Sequence, residues 1–216
     1  MISAFLFLLS ASGAGPLDAA IRRLEDHYNR LNTLKASFVQ IYREDARSPA
    51  REEAGVIYLR KPGKMRWEYA RPDQKLFLSD GKTVYFYVPS DKQVTRMPVD
   101  EAADARLPLR FLLGKLNIRR TFGRVELPAD AAPLDPGNTV LRLYPKQRKG
   151  VEEMFQELLL EIDQRDRIRR LVVYETGGAR SEFRLTGEEP NPRLDQGLFR
   201  FDIPPGVEVV DERSRP

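Results

Sequence analysis

The stretch Lys61-Pro-Gly-Lys-Met65-Arg-Trp67-Glu-Tyr69-Ala-Arg71-Pro72, continued by Lys75-Leu-Phe-Leu-Ser79, Asp80-Gly81-Lys82 and Thr83-Val-Tyr85-Phe-Tyr87-Val88, decides the fold class. Two runs rich in aromatic and β-branched residues flank an Asp-Gly pair, which supplies the positive φ values that a tight hairpin requires. Alternation places Met65, Trp67 and Tyr69 on one face of the preceding strand, and Tyr85 and Tyr87 on one face of the following one. Adjacent antiparallel strands follow from this pattern.

Working outward, Ala36 to Tyr42 and Gly55 to Leu59 read as a second hairpin, with the charged stretch Arg43 to Glu53 as its solvated loop. Further strands are expected at Gln93 to Met97, Asn117 to Leu127, Thr139 to Leu143, Val151 to Ile162, Ile168 to Thr176, Ser181 to Leu185 and Phe199 to Ile203. Val151 to Ile162 also fits a helical face through Met154, Phe155, Leu158, Leu159 and Ile162. Its charged exit into another β-rich run favours the strand. Leu17, Ile21, Leu24, Tyr28 and Leu31 recur at steps of four and three, so Leu17 to Leu34 reads as an amphipathic helix. Glu101 to Gly114, with Pro108 inside it, reads as one or two short helices whose apolar face carries Leu109, Leu112 and Leu113. The sum is a large antiparallel sheet carrying two amphipathic helical pieces.

The chain has 216 residues, 41% apolar and 31% charged, which suits one large domain with a sizeable core. Residues 1–14 read as a signal peptide, with an apolar run from Ile2 to Leu9 and small residues up to Ala14; residues 15–216 then form a single domain. No Lys or Arg precedes that run. The complete lack of cysteine excludes disulfides, a thiol nucleophile and a Cys-linked lipid anchor. The net charge of +4 comes from 36 basic residues interleaved with 32 acidic ones, a pattern that argues against a nucleic-acid partner. A monomer is expected.

Catalytic chemistry finds little support. The single histidine, His27, falls on the polar side of the first helix and reads as solvated; it lacks a second imidazole or a Cys for a metal site. There is no Gly-x-Ser-x-Gly elbow, P-loop or dinucleotide fingerprint. The carboxylate pairs Glu52/Glu53, Glu152/Glu153 and Glu188/Glu189 lie in charged or turn-like sequence and read as solvated faces. No catalytic residue, metal ligand or cofactor is expected.

The order of several motifs carries a more specific signal. Ala36-Ser-Phe-Val-Gln40 follows the helix, then come Gly55, Lys61-Pro62, Arg66-Trp67-x-Tyr69 with Pro72, Ser79-Asp-Gly-Lys-Thr-x-x-Phe86-Tyr87 with Pro89 and Gln93, and finally Phe199-x-Phe201 with Pro204-Pro-Gly-Val207. Over nearly the whole mature chain this resembles the outer-membrane lipoprotein carrier family, LolA. The resemblance implies an incomplete, half-open antiparallel β-barrel covered by amphipathic helices and holding the acyl chains of a lipoprotein in the periplasm. It also implies two partners besides the lipid-modified cargo: a lipoprotein-releasing ABC transporter at the inner membrane and an acceptor at the outer membrane. By position, the lid stripe is Leu24, Tyr28, Leu31, Leu112 and Leu113, and the cavity wall includes Phe38, Met65, Trp67 and Tyr69. Family members commonly place an Arg before the Pro as a latch to the lid backbone. Here that position is Lys61, with Arg60 before it, and a Lys offers a point charge in place of a planar fork. A lipid or glycolipid shuttle or sensor of the same fold is the alternative function.

Overall fold

In a computed structural model, residues 15–99, 109–146 and 155–211 are described. The expected signal peptide, residues 101–108 of the second helical segment and residues 151–154 of the ambiguous strand lie outside them. The described chain opens with α1 (Pro16–Asn29), followed by β1 (Thr33–Arg43), β2 (Arg51–Arg60), β3 (Lys64–Arg71), β4 (Lys75–Asp80), β5 (Thr83–Val88) and β6 (Gln93–Pro98). A short turn at Arg110–Leu112 leads to α2 (Ile118–Thr121), β7 (Phe122–Glu126), β8 (Thr139–Pro145), β9 (Phe155–Ile162), β10 (Ile168–Glu175), β11 (Arg180–Pro190) and β12 (Glu208–Asp211).

These strands form one open sheet in the order β12-β6-β5-β4-β3-β2-β1-β11-β10-β9-β8-β7. All pairings are antiparallel except β12 with β6. The expected half-open, mainly β architecture is therefore the one found, with few helices. Chain reach requires the sheet to curl. Leu113 accepts a hydrogen bond from Gly63 in the β2–β3 turn, and nine residues later Phe122 opens β7, six strands away from β2. A flat sheet would separate β2 from β7 by about 29 Å. Five extended and four helical residues reach only about 23 Å.

Alternation sorts the two faces. The inner face of β8–β10 carries Leu141, Leu143, Leu158, Leu160, Leu171 and Val173, all in the main core. The outer face there is mostly charged: Arg142 lies 3.0 Å from Asp130 and 3.5 Å from Glu157, and Arg170 lies 2.9 Å from the buried Glu161. A small second apolar cluster, Val140, Leu159 and Val172, also lies on that face. The ambiguous Val151–Ile162 segment is a strand over its described residues, because Leu158, Leu159 and Leu160 alternate between the two clusters.

Three expectations need correction. Helix α1 ends at Asn29, not near Leu34, because Thr33 and Leu34 already pair with Arg60 and Leu59 in the sheet. Asn117–Leu127 is not all strand: the Asn117 side chain accepts from the Arg120 backbone and caps the four-residue α2, so β7 begins only at Phe122. Phe199–Ile203 is not a strand. It belongs to a strap crossing the outer face of β2–β6, where Arg60 donates to Leu194 O and Arg66 Nη1 donates to Leu198 O at 3.1 Å. The alternation there is real, with Phe199 buried and Phe201 against Tyr85 and Tyr87 at ring separations of 5.5 and 5.3 Å. Pro204 and Pro205 end the run, and pairing resumes only at β12.

Candidate functional site

The concave face of β1–β3 and β11 holds an aromatic wall. Phe38 stands 4.8 Å from Trp67 and 4.9 Å from Tyr69 between ring centres, and Trp67 stands 5.2 Å from Phe183, all with steeply inclined planes. Gly55 permits this arrangement. It pairs with Phe38 on one side and Tyr69 on the other, and a Cβ there would fall 1.8 Å from Glu68 O and 3.0 Å from the Phe38 ring. Tyr69 Oη donates to Gln40 Oε1 at 2.8 Å. Burial, and then the nearby Glu53 carboxylate, push the Tyr69 hydroxyl above its usual range.

Helix α1 covers this face with Ala20, Ile21, Leu24 and Tyr28, and the 109–116 segment adds Leu109, Leu112, Leu113 and Leu116. These two covering pieces are joined along their length. Asn29 Nδ2 donates to Leu116 O at 3.0 Å and its Oδ1 accepts from Leu116 N at 2.7 Å; Glu25 Oε1 accepts from Ile118 N at 2.7 Å; Asp18 pairs with Arg119. Residues 18, 25 and 29 fall on one stripe of a 3.6-residue helix. The helix and the crossing segment therefore form a single two-part cover.

The cover is tied to the sheet at the C-terminal end of α1. Lys61 Nζ donates to Tyr28 O at 2.6 Å, a placement that also suits the negative end of the helix dipole. Burial holds the Lys61 ammonium below the usual lysine range. Tyr28 Oη donates to Glu188 Oε2 at 2.8 Å and accepts from Ile168 N at 2.9 Å. Its hydroxyl is raised well above the usual tyrosine range, first by burial and then by the Glu188 charge. His27 Nε2 lies 2.9 Å from Glu188 Oε1. On the exposed side, Arg23 pairs with Asp166 at 2.9 Å.

The residues expected at the site meet here. Leu24, Leu31, Phe38, Met65, Trp67, Leu112 and Leu113 share one buried cluster with Tyr28, and Tyr69 packs at its margin. Lys61 reaches the helix, whereas Arg60 points to the strap, where its guanidinium lies 5.6 Å from the Phe199 ring. Two sequence readings are overturned. His27 is not simply solvated, and Glu188 is not on a solvated face: its side chain is 3% exposed and faces both His27 and Tyr28. Glu53 likewise pairs with Lys75. Local sequence could not reveal the Glu188 contacts, because they join residues some 160 positions apart. Among the described residues the cover packs directly on the wall, in one shared buried cluster. A shallow recess bounded by Tyr28, Leu31, Leu59, Lys61 and Leu112 has only about 210 Å³ even with adjoining open space included.

Comparison with known proteins adds the family. The outer-membrane lipoprotein carrier protein of Nitrosospira multiformis is 29% identical over 209 residues, covering 96% of this chain and 94% of its own. The protein of that name from Nitrosomonas europaea is 30% identical over 193 residues, covering 89% of both chains. Among solved structures, a conserved Thermus thermophilus protein of uncharacterised role aligns with a TM-score of 0.54 over 90% of this chain and 98% of that one, at 15% identity, a likeness of fold alone. The family model described as outer membrane lipoprotein carrier protein LolA matches residues 29–202. With its covered aromatic wall and a match over most of its length, the chain belongs to the LolA family of carriers, which are transport proteins and not enzymes.

Proposed function

We propose that this chain is a periplasmic carrier that takes the acyl chains of lipid-modified proteins leaving the inner membrane and delivers them to an acceptor at the outer membrane. The observation that carries this reading is the concave apolar wall covered by a separate two-part lid. The lid covers the wall from above without pairing into the sheet. Its source and destination partners would be a lipoprotein-releasing ABC transporter and an outer-membrane receptor.

The direct packing of the lid on the wall fits reversible carriage. Each buried methylene contributes about 0.8 kcal/mol, so one sixteen-carbon chain is worth roughly 12 kcal/mol and three are worth roughly 36 kcal/mol gross. That total exceeds the practical limit of about 18 to 21 kcal/mol for noncovalent affinity. A carrier that buried its cargo fully against an empty cavity could not release it. Here Leu24, Tyr28, Leu112 and Leu113 already occupy the face that an acyl chain would cover. Loading exchanges lid contacts for lipid contacts, so the net gain is the difference between them.

Isolation of the native protein from the periplasm, with mass spectrometry of whatever accompanies it, tests this reading. Intact lipid-modified proteins are expected. Recovery of free phospholipid or glycolipid alone would overturn protein carriage and favour a lipid shuttle or sensor.

A further inference from the structure

We infer that the indole N–H of Trp67 is a polar subsite in the concave wall that recognises the neutral carbonyl oxygen at the head of a fatty-acyl ester. This rests on the lipid-carrying reading above and adds the one chemical feature, beyond hydrocarbon, that the wall selects. Trp67 is 3% exposed, and its Nε1 is buried with no hydrogen-bond partner among the described residues. An orphaned donor is rare in a native interior. Its neighbours do not share that condition: Tyr69 Oη is bonded to Gln40, Tyr28 Oη to Glu188 and Ile168, and Asn29 to Leu116. The rings of Phe38 and Phe183 flank the indole, and a ring face is only a second-order partner for an N–H.

The surroundings narrow the ligand. Trp67 pairs across the sheet with Ile57 and Phe77, and Met65 lies next along the same face. Water needs two to four polar partners to be held in such a place, and among the described residues of this wall only the Trp67 donor is unbonded, the Tyr69 hydroxyl being taken by Gln40. A free fatty acid would bring a carboxylate, yet the nearby cation Lys75 is already paired with Glu53. A hydrocarbon chain ending in an ester presents a neutral acceptor directly after its apolar part. Lying on the wall once the lid has withdrawn, it would satisfy Nε1 and the apolar surface together.

Trp67 is the only tryptophan, so the full chain labelled with nitrogen-15 gives a single indole N–H resonance. Titration with 1,2-dioctanoylglycerol and with its 1,2-dioctyl ether counterpart, which has no carbonyl, reads the subsite without a substitution. The ester should shift the indole proton downfield and bind about fivefold more tightly than the ether, the scale of one neutral hydrogen bond. In Trp67→Phe, which keeps an aromatic ring and loses the donor, that preference should disappear, with ester and ether binding equally whatever the variant's overall affinity. Equal binding of both lipids by the wild-type protein, with no downfield shift specific to the ester, would overturn the subsite and leave the carrier reading standing. Binding of neither lipid would overturn the carrier reading itself.

Discussion

Two faces of the same sheet are covered by segments that lie outside it, and they are covered in different ways. On the concave side, α1 and the 109–116 segment sit over Phe38, Trp67 and Met65, tied to the sheet by side chains such as Lys61 and Glu188 and by the Gly63 to Leu113 bond. On the convex side, the strap from Leu194 to Phe201 lies over Tyr85 and Tyr87 and then runs into β12, whose backbone pairs with β6 from Glu208 to Asp211. The strap is fixed at both of its ends, by β11 before it and by β12 after it. Among the described residues α1 is fixed through the chain only at its C-terminal end, by β1, and otherwise by side-chain bonds, so it can swing away while the sheet stays folded. The difference separates permanent covering from releasable covering, and a carrier needs the second kind on the side that meets its cargo.

The sharpest way to break this contrast is to damage the wall that both covers share. Gly55→Val places side-chain atoms where the Glu68 carbonyl and Phe38 ring already stand, at a cost above about 3 kcal/mol, and should abolish folded protein in expression trials. Phe199→Ala, under the strap, should cost about 3 to 5 kcal/mol in a denaturant melt and leave lipid loading intact in whatever fraction folds. Leu112→Glu, on the inner face of the lid, should leave the sheet folded, because the carboxylate can reach water when the lid opens. It should also impair both loading and release of a diacylated lipopeptide; wild-type loading and release would refute the lid. Glu188→Gln removes the charge but keeps acceptor and donor groups beside Tyr28 and His27, and should loosen α1 by about 1 kcal/mol, read as faster amide exchange in residues 16–29 with unchanged exchange in β12.

The smallest effect concerns pH. Burial lowers the Lys61 amine from its ordinary 10.5, so the closed lid binds fewer protons than the open one. The cost to closure is fully present while the amine is charged in both states. It fades as pH rises through the lowered value toward 10.5, so the closed fraction should increase slightly over that window and stay flat in Lys61→Leu.

What could be read from sequence alone follows the range of the interactions involved. The Asp80-Gly81 hairpin, the Met65, Trp67 and Tyr69 stripe and the apolar face of α1 are encoded within a few residues, and each stands in the structure where periodicity placed it. The ends of elements were less legible. Asn117 turns an apparent strand into a capped helical turn through one side-chain bond, and Phe199 and Phe201 alternate like a strand while packing across one. The lid ties were hidden for a different reason. Glu188 and His27 each look like surface charges in their own segment, and only the return of β11 alongside β1 brings them together. Lys61 was legible as a latch position only through resemblance to the family, since nothing local connects it to Tyr28.

Withdrawal of the two-part lid during loading is the central claim, and the absence of cysteine makes it directly measurable. Spin labels on Arg22→Cys of α1 and Thr186→Cys of β11, both exposed positions, report the distance from lid to sheet by pulsed electron paramagnetic resonance. A narrow distribution without lipid, moving outward by at least about 5 Å when a diacylated lipopeptide is bound, is the predicted result, since the lid must clear roughly one layer of packed side chains. A distribution that stays the same with lipopeptide demonstrably bound would contradict it.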